Sequence, residues 1–457
     1  MTIKAVAEDG RDTGKVEGSL AAKGKLPFPV VFGWGLGSVG TLVLLNITNT
    51  LVLKYLVDIV GVAAAIAGTI IAATRIFDAF LDPFMGSFSD NTVSRWGRRR
   101  PFLLAGGVMC AAAPILIFAA PSALTGTAAM AYMVMALLFY ALSYTTFNVP
   151  YMAMPVEMTQ NHHERTYLFS FRIYATAIAG VIGGAMAPSL VEYFGGGRDG
   201  FATMAYIMSA VILAACFASF YLTRNAPVSD VPVADKSPKF TQIRYALRNK
   251  PFLALMTAKI FLVSGTGIGG AAMAFFVTIV LDKPLSWLSF FVIGATIGMM
   301  GSQVVWLKIA RALGKRKCFL ISAAFYIMVV LSWLLAGPEE TQIAVALRAF
   351  ALGVFGGGLL LTSQAMLPDT LQHELELTGV QHEGVLTGIY TTVERGASAL
   401  GVAIAGLVLG AGGYVGGLDS AQQSASAISA IYLCMAVLPA VAVLLSSAAI
   451  WKYDLPG

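Results

Sequence analysis

The sequence predicts an all-α membrane protein of twelve transmembrane helices, arranged as two pseudo-symmetric halves of six. Three observations carry that reading. Of 457 residues, 57% are apolar and only 12% charged, with a mean hydropathy of +0.76; soluble domains run near about 25% charged. Apolar runs long enough to cross a bilayer, about 20 residues each, recur twelve times. Six lie on either side of a polar stretch at 223–250 that contains Pro227, Pro232 and Pro238. Finally, features at the ends of particular runs in the first half return at matching ends in the second.

Taken in order, residues 1–29 carry mixed charge and no small-residue cleavage site after a short apolar region, which predicts a cytoplasmic tail rather than a signal peptide. Spans at 30–57, 63–88, 101–120, 127–155, 166–194 and 202–223 make a first half over 30–223. Residues 224–250 read as a cytoplasmic linker. Spans at 252–281, 285–310, 317–336, 342–367, 384–414 and 426–451 make a second half, which with a short tail covers 251–457.

Orientation follows from where the basic residues fall. On the side of the termini lie the N-terminal lysines, Arg95, Arg98, Arg99, Arg100, Arg165, Arg244, Arg248, Lys250, Lys308, Arg311, Lys315, Arg316 and Lys317. The other side holds little beyond Lys54, Arg198 and Lys283. By the positive-inside rule both termini are cytoplasmic. The net charge of +6 is therefore a topology signal, and no nucleic-acid partner is expected.

The repeat is carried by short matches. RWGRRRP at 95–101 closes the second span, and ARALGKRK at 310–317 closes the eighth. The fourth ends AMPVEMT at 153–159, and the tenth ends AMLPDTL at 365–371. Duplicated halves favour alternating access over a fixed pore. Glycine-rich interiors such as SGTGIGG (264–270), GVFGGG (353–358) and VIGGAM (181–186) suit close helix packing, and could also bend as the halves rock. Cys110, Cys216, Cys318 and Cys434 occur singly with no metal-ligand spacing and read as small buried residues. His162, His163, His373 and His382 fall in predicted cytoplasmic loops and read as surface residues.

The chemistry concentrates in RIFDAFLDPFMGSFSD, residues 75–90. Asp78 and Asp82 stand four apart, so a helix places both carboxylates on one face. An acid at the centre of a membrane helix costs roughly 2.5–3.5 kcal/mol on insertion scales. Two such groups away from bulk water either supply oxygens to a small hard cation or share protons, because close carboxylates resist ionising together. A structural ion-pair pocket is the alternative, and Arg75, one turn before Asp78, could belong to it.

The order of motifs resembles the glycoside–pentoside–hexuronide:cation symporters, the melibiose permease group of the major facilitator superfamily. The resemblance runs from about residue 32 to 416. It rests on RIFDAFLDPFMG (75–86), SRWGRRRPFLL (94–104), FNVPYMAM followed by EMT (147–159), ERTYLFSFR (164–172) and an acidic loop, PDTLQHELELTGVQHEG (368–384). It implies the major facilitator fold in a bacterial-type inner membrane. The implied activity is cation-coupled symport of a small solute by a monomer with no organic cofactor.

The resemblance makes Asp78 and Asp82 the cation site, with Thr145 adding a hydroxyl. Arg172 and Arg395 match the family's helix-five arginine and helix-eleven basic position, and with Arg75 they would balance charge when the cation leaves. Glu394 beside Arg395 leaves open whether that arginine covers the cation site or pairs locally. Lys259 reads as snorkelling to the inner interface. Leu81 stands where melibiose permease has Asn, which removes an amide ligand; sodium is the favoured coupling ion and the proton its alternative.

At the substrate site the chain departs from the melibiose pattern. Leu42 and Asn148 replace the two sugar-binding acids, and Met152 replaces the stacking Trp. Asn46, Asn49, Tyr144, Tyr151 and Tyr390 are further candidates. A galactoside held in the melibiose manner is disfavoured; a less polar glycoside or another amphipathic solute fits better. A sodium-dependent lysolipid-like symporter, or an uncoupled facilitator or scramblase, stands as the alternative. Arg98, Arg99 and Arg100 with Asp90, Glu157, Glu164, Arg165 and Asp369 resemble the superfamily's charged inner gate. No nucleophile–base or metal constellation supports an enzyme, and a pseudo-duplicated single chain does not suggest the symmetric rings of a channel.

Overall fold

The computed structural model describes residues 26–92, 94, 96–159, 162–226, 249–378 and 383–453. Most of the predicted tail and linker, with Arg95, Arg244, Arg248 and His382, lie outside the described residues, as do the side chains of Arg165, His162 and His163. Among the described residues every regular element is helical.

Twelve helices are long and apolar enough to cross a membrane. They are α1 (Phe28–Ile59), α2 (Ala64–Asp90), α3 (Arg100–Phe118), α4 (Gly126–Pro155), α5 (Tyr167–Tyr193) and α6 (Gly197–Leu222), then α7 (Lys250–Val280), α8 (Leu285–Leu313), α9 (Lys315–Leu335), α10 (Gln342–His373), α11 (Gly388–Ala411) and α12 (Ala425–Trp451). Six precede residues 227–248 and six follow them. The chain is an integral membrane protein with the major facilitator fold, and an even number of crossings puts both ends of the described chain on one face, here the terminal face.

Helix starts follow local chemistry. Proline in the first turn of α1, α3 and α7 occupies a position where no backbone donor is needed. Asn249 caps α7 by accepting from the Phe252 amide at 2.9 Å. One element runs further than the sequence predicts. The acidic stretch 368–384 was expected as a loop, but α10 continues through Pro368 to Thr378. Lys315 Nζ donates to the Ala365 carbonyl at 3.0 Å, so the turn around the proline gains an outside donor.

The predicted repeat has a geometric counterpart. The turns between α2 and α3 and between α8 and α9 pivot on Gly97 and Gly314, with φ of +87° and +83°, a region where a Cβ is strained. α1 and α7 both finish in a π-helical turn, Tyr55–Ile59 and Phe276–Val280. The next residue but one has positive φ in each half, Gly61 in the first and Asp282 in the second.

Several contacts between the halves lie at the face opposite the termini. There α2 meets α11 at Gly68 and Gly406, where a Cβ on Gly68 would lie 2.9 Å from the Gly406 Cα. Lys54 Nζ, on α1, donates to Asp58 Oδ2 at 2.5 Å and to Thr278 Oγ1 of α7 at 2.9 Å. Tyr414, just after α11, donates through its hydroxyl to Asp58 Oδ1 at 2.9 Å. The Leu285 amide at the start of α8 donates to Glu192 of α5 at 3.2 Å.

On the terminal face the described ion pairs lie within one half, so among the described residues no pair of the predicted inner gate bridges the halves in this conformation. Arg98 and Arg99 both pair with Glu157 at 2.8 Å, and Arg99 also pairs with Asp90 at 2.6 Å. Arg100 donates to the Thr223 and Ala226 carbonyls, and Glu164 accepts from the Leu26 amide. Asp369 pairs with Lys315 of its own half at 2.6 Å, not with an arginine of the first half. The physical reason is the repeat itself. Glu157 and Asp369 occupy matching places in AMPVEMT and AMLPDTL, and each is satisfied by the basic turn of its own half.

Candidate functional site

α2 carries its acids on one side and its large aromatics on the other. Phe80, Phe84 and Phe88 follow one another at four-residue spacing and are 67%, 73% and 65% exposed, an apolar stripe suited to face lipid. Asp78 is buried and Asp82 partly so. Pro83 then removes the amide that would have bonded the Ala79 carbonyl.

Four residues converge here. Thr145 of α4, fully buried, lies with its hydroxyl 2.6 Å from Asp78 Oδ1 and 3.1 Å from Asp82 Oδ1, positioned to donate to either. Arg395 of α11 donates through Nη1 to Asp82 Oδ2 and stands 3.7 Å from Asp78 Oδ2. The two carboxylates thus come from the first half and the guanidinium from the second. Chemically the cluster is a set of hard oxygen donors holding a cationic side chain.

The other proposed charge-balancing residues are elsewhere. Arg75 donates to Asn49 Oδ1 and lies over the Tyr140 ring at 5.9 Å. Arg172 makes no described ion pair with either aspartate, and its Nε is buried without a hydrogen-bond partner among the described residues. Among the described ion pairs, Arg395 is the arginine that reaches the two aspartates.

Sequence reasoning placed Lys259 at the interface, yet its side chain is 1% exposed and pairs with Glu394 of α11 at 3.3 Å. Its ammonium also lies 4.7 Å over the Tyr390 ring. Glu394 and Arg395, adjacent on α11, therefore have separate partners. The signal was depth: Lys259 lies nine residues inside α7, about 13 Å along the axis, too far for a lysine stem to reach the headgroups easily.

A cavity of about 380 Å³ opens in the second half between α7, α8, α9, α10 and α11, with Lys259 and Glu394 in its wall. None of the eight predicted substrate residues lines it. Tyr151 is committed to packing: it stacks on Trp34 at 5.1 Å and its hydroxyl donates to the Trp34 carbonyl at 2.5 Å, with Ser38 Oγ 2.8 Å away. Asn46 spends an amide hydrogen on the Leu42 carbonyl of its own helix at 2.7 Å. Leu42 and Met152 pack against the apolar core, Tyr144 and Asn148 are half-buried, and Tyr390 is buried under Lys259.

Comparison with known proteins agrees with this architecture. Residues 33–457 match the MFS/sugar transport protein family. The chain belongs to that family, and to the glycoside–pentoside–hexuronide:cation symporter group within it; it is a membrane transporter and not an enzyme. It is 26% identical over 441 residues to the isoprimeverose transporter of Lactiplantibacillus pentosus, covering 95% of this chain and 90% of that one. It is 27% identical over 437 residues to the glucuronide carrier protein homolog of Escherichia coli (strain K12), covering 94% and 93%. Among solved structures, the nucleoside transporter NupG superposes with a TM-score of 0.67 at 13% identity, covering 93% of this chain and 100% of that one. A bacterial homolog to the human lysosomal transporter Spinster, inward-facing and unoccupied, gives a TM-score of 0.68 at 13% identity, covering 94% and 97%. At such identity these two speak for the fold.

Proposed function

We propose that the chain is a cation-coupled symporter that moves a small sugar- or glycoside-like solute across a bacterial inner membrane by alternating access. Both termini are cytoplasmic in this reading, and the described contacts Gly68–Gly406, Lys54–Thr278 and Glu192–Leu285 between the halves lie towards the opposite side. The observation that carries it is the Asp78–Asp82–Thr145–Arg395 cluster, built across the two halves. Two carboxylates and one guanidinium leave one negative charge, which a single monovalent cation neutralises. Sodium, or a proton as the alternative, would take the oxygens that Arg395 holds and release the arginine. The contact between halves would then differ between loaded and empty carrier, which is what coupling needs. The names of the relatives, a carrier of isoprimeverose and one of glucuronides, support a sugar-like solute.

Proteoliposomes with imposed sodium or proton gradients test this reading. Accumulation against a concentration gradient is expected under one of them. Free equilibration of solute with accumulation under neither would identify an uncoupled facilitator and remove the cation site.

A further inference from the structure

We propose that Glu394, steered by Lys259, is the hydroxyl-accepting group of a solute subsite in the second half. This subsite selects neutral polyhydroxylated solutes with an apolar portion over their carboxylate counterparts. The inference rests on the symporter reading above and adds the solute class and the residues that read it.

Exposure within the ion pair decides what a solute meets. The Lys259 side chain is 1% exposed and that of Glu394 is 41% exposed, so the carboxylate faces the cavity and the ammonium stands behind it. The ammonium holds one carboxylate oxygen at 3.3 Å and rests on the Tyr390 ring. This holds the Glu394 carboxylate in one orientation in a largely apolar setting. An ionised carboxylate accepts only, with room for two hydroxyls. A neutral polyol therefore finds an acceptor already oriented. An anionic solute meets Glu394 first and cannot reach Lys259 without breaking the pair.

The surrounding walls set the rest of the solute's chemistry. Leu262, Val263 and Met299 supply apolar surface, and Thr266 and Ser363 supply hydroxyls. The volume, about 380 Å³, falls in the range of roughly 300–1,000 Å³ usual for small-molecule pockets.

The test uses the purified full chain and proteoliposomes with two sets of probes. One set is p-nitrophenyl glucoside, galactoside and xyloside; the other is p-nitrophenyl glucuronide and galacturonide. Wild type should bind and move at least one neutral glycoside at least about tenfold more tightly than the matching hexuronide. Glu394→Gln should raise KM for the glycoside about tenfold with a smaller effect on kcat. Lys259→Met should do the same, and Lys259→Arg should recover most of the loss. Thermal melting reports whether each variant folds, and the wild-type preference decides independently if one does not. Coupled uptake of hexuronides in preference to glycosides, or unchanged KM in both folded variants, overturns this inference and leaves the symporter reading standing. Movement of no probe under any gradient removes both.

Discussion

Arg395 of α11 donates a hydrogen bond to Asp82 of α2, and this contact joins the two halves of the molecule within the membrane. It sets an arginine in direct competition with any cation that would use the same oxygen. Replacing Arg395 with Gln should raise apparent cation affinity about tenfold, because a buried competitor for Asp82 is gone. Return of the empty carrier should slow, since its acids are left uncompensated. Cation-dependent thermal shift and the ratio of exchange to net uptake measure the two effects.

Asp82→Asn should abolish solute accumulation while preserving solute exchange. The amide keeps the shape and one acceptor but loses the charge that draws in the ion. Counterflow with labelled solute beside gradient-driven uptake separates the two; full coupled uptake in the variant would sink the cation assignment.

Glu157→Gln should destabilise the first half by about 3 kcal/mol, because Arg98 and Arg99 lose a shared, mostly buried carboxylate. The balance between open faces should hardly move, since the pair does not cross between halves. Thermal melting reads the first expectation and cysteine accessibility the second.

Tyr414→Phe should loosen the face opposite the termini by deleting the donor to Asp58. Burial first, and then the neighbouring Asp58, push the Tyr414 phenol up from its ordinary value of 10.0. Folding therefore favours the protonated phenol. Its contribution is complete below pH 10 and declines as pH rises above that towards the folded value. Accessibility of a cysteine placed on that face should be flat from pH 6 to about 9 in wild type, and higher throughout in the variant.

Asp282→Gly should leave stability unchanged or raise it by up to about 1 kcal/mol, since glycine adopts positive φ without a Cβ. Gly61→Ala at the matching place should lower it by about 1 kcal/mol. Melting temperatures of the two variants make a symmetric pair.

The fold was legible because the bilayer makes the signal simple. Apolar length alone yields the twelve spans, and helix ends missed by a few residues, as at α6, which begins at Gly197 rather than 202. Asp78 and Asp82 stood out because an acid is conspicuous among apolar neighbours, and Thr145 and Arg395 came with the family resemblance. Lys259 and Glu394 did not announce each other, since a contact between α7 and α11 has no local sequence signature. Tyr151 misled for a related reason: an aromatic hydroxyl in a helix reads as a cavity residue until the stacking Trp34 is seen beside it. The extension of α10 was hidden by Pro368, whose missing amide reads as a stop in sequence although the helix runs through it.

The paired fastenings Arg98–Glu157 and Lys315–Asp369 have a consequence for how turnover should respond to the medium. Neither pair bridges the halves, so on the proposed cycle neither would have to break as the halves rock. Ionic strength would then act on turnover chiefly through described contacts that do cross between halves at the opposite face, Lys54 with Thr278 and Tyr414 with Asp58. A carrier of that kind would be tuned mainly from one side of the membrane.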